Sequence, residues 1–120
     1  MSDVSDVSED PGTVWLHYSL PRTAWFELEP AARARHEEAF RAERDASERL
    51  GGKRAGVFHV RGQSDYSEVE IWFFPTAELA FDHWSRLVTA GYTDCFEFSN
   101  QVGTADPAGP AAPEAIERTS

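Results

Sequence analysis

The feature that most limits the fold is the order in which two kinds of segment replace one another along the chain. Four stretches are dense in β-branched and aromatic side chains: TVWLHYSL (13–20), AGVFHVRG (55–62), EVEIWFF (68–74) and CFEFS (95–99). Such stretches predict strands. Between the first and second lies AARARHEEAFRAERDASERL, opened by Glu29-Pro30 and closed by Gly51-Gly52. Proline suits the first helical position and glycine the residue past the last turn, so this run predicts a helix. Between the third and fourth lies AELAFDHWSRLVTA (77–90), with Thr76 placed as N-cap and Gly91 closing it. The polar QSDYS (63–67) reads as a hairpin loop.

The order is βαββαβ. It predicts an α+β, ferredoxin-like domain: a four-stranded antiparallel sheet, strand order 4-1-3-2, with two helices on one face. A length of 120 residues suits one domain, assigned to 13–103. Residues 1–12 hold Asp3, Asp6, Glu9 and Asp10 with no base, and 104–120 are rich in Pro and Ala; both read as disordered tails.

The net charge of −10 comes largely from those tails, because 13–103 keeps 14 acids and 10 bases. A nucleic-acid surface needs clustered Lys and Arg, and the chain has a single Lys, so no nucleic-acid partner is expected. No apolar run approaches the ~20 residues of a membrane span, and the N-terminus lacks the pattern of a signal peptide. With one cysteine, Cys95, no internal disulfide forms; the expected compartment is the cytoplasm.

Strand alternation sorts the side chains into two sets. Val14, Leu16, Tyr18, Phe58, Val60, Val69, Ile71, Phe73, Phe96 and Phe98 are all apolar or aromatic, and this set is expected under the helices. Trp15, His17, Ser19, Val57, His59, Arg61, Glu68, Glu70, Trp72, Phe74, Cys95, Glu97 and Ser99 mix large aromatics with titratable groups. That mixture suits a partly covered pocket, and the simplest cover is a second copy of the sheet in a homodimer.

The two-faced sheet resembles the dimeric α+β barrel superfamily, which includes antibiotic-biosynthesis monooxygenases, polyketide cyclases, muconolactone isomerases and haem-binding chlorite dismutases. More narrowly, Trp25-Phe26, Ser64-Asp65, Trp72 and GYTDCFEFSNQVG (91–103) resemble small bacterial families such as darcynin. The resemblance implies fold and dimerisation and leaves the chemistry open.

On the mixed face, His17 and His59 are candidate proton-transfer groups, since histidine titrates near neutral pH. Glu70 is placed between them as orienter or base. Trp15, Trp72, Phe74, Arg61, Glu97 and Asn100 are expected to line the substrate site. His17, His59 and Glu70 also match a two-histidine, one-carboxylate iron set, but each sits on a separate strand, and no metal is assigned. Trp84 reads as core, His36 as a satisfied core histidine, His83 as solvated and Cys95 as inert. Tyr92 reads as a turn or pocket-rim residue, and Trp25 as a staple or a cover for the pocket mouth. The function expected is a cofactor-independent cyclase, isomerase or monooxygenase acting on a small flat organic molecule in specialised metabolism. The alternatives are a non-catalytic ligand-binding dimer, and a haem or non-haem metal protein.

Overall fold

The computed structural model describes residues 12–62 and 65–106, so the readings for 1–11, Gln63, Ser64 and 107–120 lie outside the described residues. The elements are β1 (Thr13–Pro21), α1 (Thr23–Glu27), α2 (Pro30–Arg49), β2 (Lys53–His59), β3 (Glu68–Phe74), α3 (Ala77–Thr89), α4 (Tyr92–Cys95) and β4 (Phe96–Thr104). The expected βαββαβ frame is present, with two short helices added at the β1–α2 and α3–β4 joints. The sheet is antiparallel throughout, in the order β2-β3-β1-β4. Strand β4 runs further than its apolar core suggests: Thr104 pairs with Thr13, and the Ala105 N–H donates to the Gly12 carbonyl.

Local signals explain the joints. Pro30 opens α2 at its first turn, and the Thr76 hydroxyl accepts the Leu79 N–H at the start of α3. The α2–β2 turn lies hard against the sheet at Gly52, where a Cβ would stand 2.8 Å from the Phe74 ring. Gly91 takes the left-handed backbone (φ 96°) that turns α3 into α4.

The two sheet faces are reversed from the sequence expectation. Trp15, His17, Ser19, Glu70, Trp72 and Phe74 are all buried, and they form the face under the helices. Val14, Leu16, Tyr18, Ile71 and Phe73 are only half-buried, on the open face. Phe96 and Phe98 do lie on the helix side, because they pair with Pro21 and Ser19. The physical reason is that uniform apolarity marks a face for burial without saying which layer covers it. Here α2 presents Phe40, Arg44 and Ser47 inward, at one-face spacing, so it meets a polar face better than an apolar one.

Helix α3 is turned to match. Its buried residues are Ala80, His83 and Leu87, while Phe81 is 57% exposed and Val88 also faces out. The expectation of a solvated His83 is therefore corrected: it is fully buried against Trp15, Trp72 and Phe74. Trp84 packs on Trp15, His17 and Phe98, as a core residue should.

Candidate functional site

Three polar clusters are built into the layer between sheet and helices. The first centres on Glu70 in β3. The Arg44 guanidinium from α2 donates to it through Nε (3.0 Å) and a terminal nitrogen (3.1 Å), and the Trp72 indole N–H donates at 2.8 Å. Arg54 from β2 adds an Nε contact at 3.0 Å. Burial by itself would raise the Glu70 pKa, but the Arg44 charge and hydrogen bond, then Trp72 and Arg54, hold it below the ordinary carboxylate value.

The second cluster centres on His17, which the register sets opposite Glu70 on one side and Asn100 on the other. His17 is 1% exposed and stacks on the Trp15 indole at 4.8 Å. Its Nδ1 lies 2.5 Å from the Asn100 Oδ1, an acceptor, so Nδ1 carries the proton and donates. Its Nε2, 2.7 Å from the Tyr92 hydroxyl, is then the acceptor. Burial lowers the His17 pKa, partly offset by the Asn100 hydrogen bond and the Glu70 charge. Burial also pushes the Tyr92 phenol up to about 12, against a hydrogen bond from Ser19. The result is a chain of contacts running Ser19, Tyr92, His17, Asn100.

The third cluster joins Ser47 and His83. Arg86 donates to the Ser47 oxygen at 2.8 Å, so the Ser47 proton turns to His83 Nδ1, 2.5 Å away. Burial drives the His83 pKa down to about 4, which keeps the ring neutral. Its Nε2 has no hydrogen-bond partner, but the ring stands edge-to-face with Trp15 at 4.8 Å, an arrangement in which an N–H can meet a π face. Ser47 is no nucleophile: it is buried, and Arg86 occupies its oxygen.

A half-open cavity of about 470 Å³ separates α2 from the sheet, within the ~300–1,000 Å³ usual for ligand pockets. One end is aromatic: Trp25, Phe40, Tyr92 and Phe96. The other is ionic, with Arg44, Arg54 and Glu70 at its floor and Glu37, Asp45 and Glu48 at its exposed rim. Ser19 and Tyr92 bring the His17 chain of contacts to the cavity wall.

The structure thus brings two of the three expected proton-transfer groups together and leaves out the third. His17 and Glu70 are cross-strand neighbours. His59 lies on the outer strand with its side chain 87% exposed, near Glu68 at 3.9 Å. The three do not converge, and among the described residues no group of three or more His, Cys, Asp or Glu side chains is placed to hold a metal. Trp15, Trp72 and Phe74 pack in the core instead of walling the cavity, and Asn100 sits behind His17. Arg61 is exposed beyond the end of β2, and Glu97 is exposed opposite Leu20, off the helix side. The cavity residues that sequence reasoning passed over are Phe40, Arg44 and Arg54. The available signal was the weak apolar stripe of α2, whose inward positions include a long cation.

No protein-family model and no curated protein sequence matches this chain. Solved structures do match it in fold. A haem-binding protein from Thermus thermophilus is 18% identical, with a TM-score of 0.60 over 92% of this chain and 49% of that one. Chlorite dismutase from Candidatus Nitrospira defluvii, in complex with imidazole, is 13% identical, with a TM-score of 0.68 over 98% and 51%. The methylated RPA0582 protein is 18% identical, with a TM-score of 0.56 over 91% and 95%. This chain therefore spans about half the length of the first two of these chains, and most of the length of the third. At such identities the likeness is one of fold, the α+β barrel type with a ferredoxin-like half. No helix among the described residues is long and apolar enough to cross a membrane.

Proposed function

We propose that this protein binds a small flat organic molecule between α2 and the sheet and moves a proton on it without a bound cofactor. The observation that carries the reading is the Asn100–His17–Tyr92 chain of contacts ending at the cavity wall. Tyr92 is the group presented to the ligand. As its oxygen takes a proton from a ligand C–H or O–H, its own proton passes to His17 Nε2. The imidazolium so formed is held by Asn100 Oδ1 and by the Glu70 charge on the neighbouring strand. In this reading Glu70 is an electrostatic orienter, and His59 has no part in the step. The narrower likeness to darcynin and a place in specialised metabolism belong to this reading.

Solvent-deuterium exchange into enolisable aryl ketones, beginning with 2-tetralone, tests it by proton NMR. The wild type is expected to accelerate exchange, and Tyr92→Phe to lose roughly 10²-fold or more of that rate while keeping ligand affinity. Undiminished exchange in Tyr92→Phe would remove Tyr92 from the chemistry. Binding with no exchange by the wild type would leave a ligand-binding protein.

A haem reading is favoured by the fold shared with the Thermus thermophilus haem-binding protein and with chlorite dismutase. The cavity's aromatic end and its arginines suit a porphyrin ring with acidic groups. Its iron does not fit: haem iron takes His, Cys, Met or Tyr, and among the described residues no His, Cys or Met lines the cavity. Tyr92 does line it, but its hydroxyl is held by His17 and its phenol is kept protonated by burial.

The partner at the open sheet face is a second copy. In the longer matching chains, as much chain again lies beyond the matched half. A monomeric protein rarely leaves a contiguous apolar sheet face such as Val14, Leu16, Tyr18, Ile71 and Phe73 uncovered. Leu16 and Ile71 are cross-strand neighbours there. Light scattering is expected to show a dimer for the wild type and half that mass for Leu16→Glu/Ile71→Glu, with unchanged far-UV circular dichroism. A monomeric wild type at micromolar concentration would refute the pairing.

A further inference from the structure

The charge at the cavity floor says which flat molecules belong there. Among the described residues Glu70 is the only buried carboxylate lining the cavity, and two arginines lie on it. The remaining acids, Glu37, Asp45, Glu48 and Glu68, are exposed or half-exposed around the mouth, where water screens them. Arg41, the third cation of the lining, is exposed and engaged with Glu38. Two guanidinium groups thus face one carboxylate at the cavity floor: Arg44, whose side chain is largely buried, and Arg54, which reaches the same carboxylate from the solvent side.

The donors make the same point. Arg44 uses Nε and one terminal nitrogen on Glu70, and Arg54 uses Nε. The second terminal nitrogen of Arg44 and both of Arg54 have no bond to that carboxylate. Guanidinium groups recognise carboxylates through such paired N–H groups. Phe40 and Arg44 are one turn apart on α2, about 6 Å along its axis. The aromatic and cationic ends of the cavity are therefore served by neighbouring turns of one helix.

Resting on the ligand-cavity reading above, we infer that the ligand is an aromatic or similarly flat organic acid. Its ring system lies among Trp25, Phe40 and Phe96, and its carboxylate lies on the free N–H groups of Arg54 and Arg44. The acid end anchors the molecule at the floor and directs the ring end towards the Tyr92 hydroxyl. Arg54 sets specificity for the charged group. Its side chain is 39% exposed, so it can be changed without leaving a deeply buried charge unpaired.

Calorimetric titration with three probes sharing one ring system tests this: 2-naphthoate, 2-naphthylmethanol and 2-naphthylmethylammonium. The wild type is expected to bind the acid roughly tenfold or more tightly than the alcohol, since a hydrogen bond to a charged group is worth about that factor, and to bind the ammonium least. Arg54→Gln should erase the preference for the acid and leave affinity for the alcohol unchanged. Lys53→Gln removes a cation next to Phe73 on the open face and should change nothing. Equal affinity for acid and alcohol, tighter binding of the ammonium, or a loss in Lys53→Gln matching that in Arg54→Gln would overturn the assignment of an acid ligand. The first two results would leave the cavity itself as a binding site. If none of the three probes binds, the cavity reading falls with it. Haemin and metal-free protoporphyrin, both flat dicarboxylic acids, complete the set. Similar affinities for the two support recognition of the acid groups, whereas binding of haemin alone, with a coordination spectrum, would show that iron carries the affinity.

Discussion

Glu70→Ala is expected to lose about 3–5 kcal/mol of stability, the usual cost of removing one partner from a buried ion pair. Glu70 stands at the centre of the layer between sheet and helices, and three side chains from three elements converge on it: Arg44, Arg54 and Trp72. Its removal leaves the Arg44 charge with little water around it and the Trp72 N–H without an acceptor. A typical domain has only about 5–15 kcal/mol in total, so the change should be plain in the urea midpoint at unchanged slope. The double variant Glu70→Leu/Arg44→Leu should recover most of the loss, because it removes both buried charges together. A loss under about 1 kcal/mol in Glu70→Ala would mean that the cluster is effectively solvated.

Acid should weaken the fold well before the carboxylates titrate. His83 has its pKa lowered from 6.5 to about 4 by burial, and that of His17 is lowered by the same cause. Below pH 6.5 the unfolded chain takes up protons on these rings while the folded chain does not. Stability is therefore complete above about pH 6.5 and falls as the pH drops towards 4. The His83 shift alone corresponds to roughly 3 kcal/mol across that window. Glu70 acts in the same direction further down: its folded pKa lies below 4.5, and its contribution is lost as pH falls through that lower value. His83→Leu should flatten the dependence between pH 7 and pH 4.5, measured as urea midpoints. An unchanged slope in that variant would place the acid sensitivity elsewhere.

The sequence brings Glu70 and His83 forward unequally. Glu70 is visible as an acid in the strand EVEIWFF, and the strand order puts it on the neighbour of the His17 strand; the register that sets the two opposite each other comes from the structure. His83 reads as a surface residue because Phe81, Trp84 and Val88 form an equally good helical stripe. Only the packing of α3 on a sheet face carrying Trp15 and Trp72 decided which stripe turns inward. Tyr92 stands outside the strand pattern altogether, in a one-turn helix that follows a left-handed glycine. The role proposed for it rests on a 2.7 Å contact with a residue 75 positions away, which no local pattern records.

The sequence by itself determined the order of strands and helices, the antiparallel sheet and the existence of two chemically different sheet faces. Periodicity, proline and glycine act locally, and local signals are enough for those features. Tertiary structure decided which face the helices cover. That choice depends on the inward side chains of α2 and α3, where Arg44, Ser47, His83 and Arg86 supply partners that let a polar face be buried with its groups satisfied. With that choice the candidate cavity lies between sheet and helix, where the sequence had placed it between two sheets. The apolar face was left on the open side of the sheet, with nothing polar to satisfy and much to remove from water.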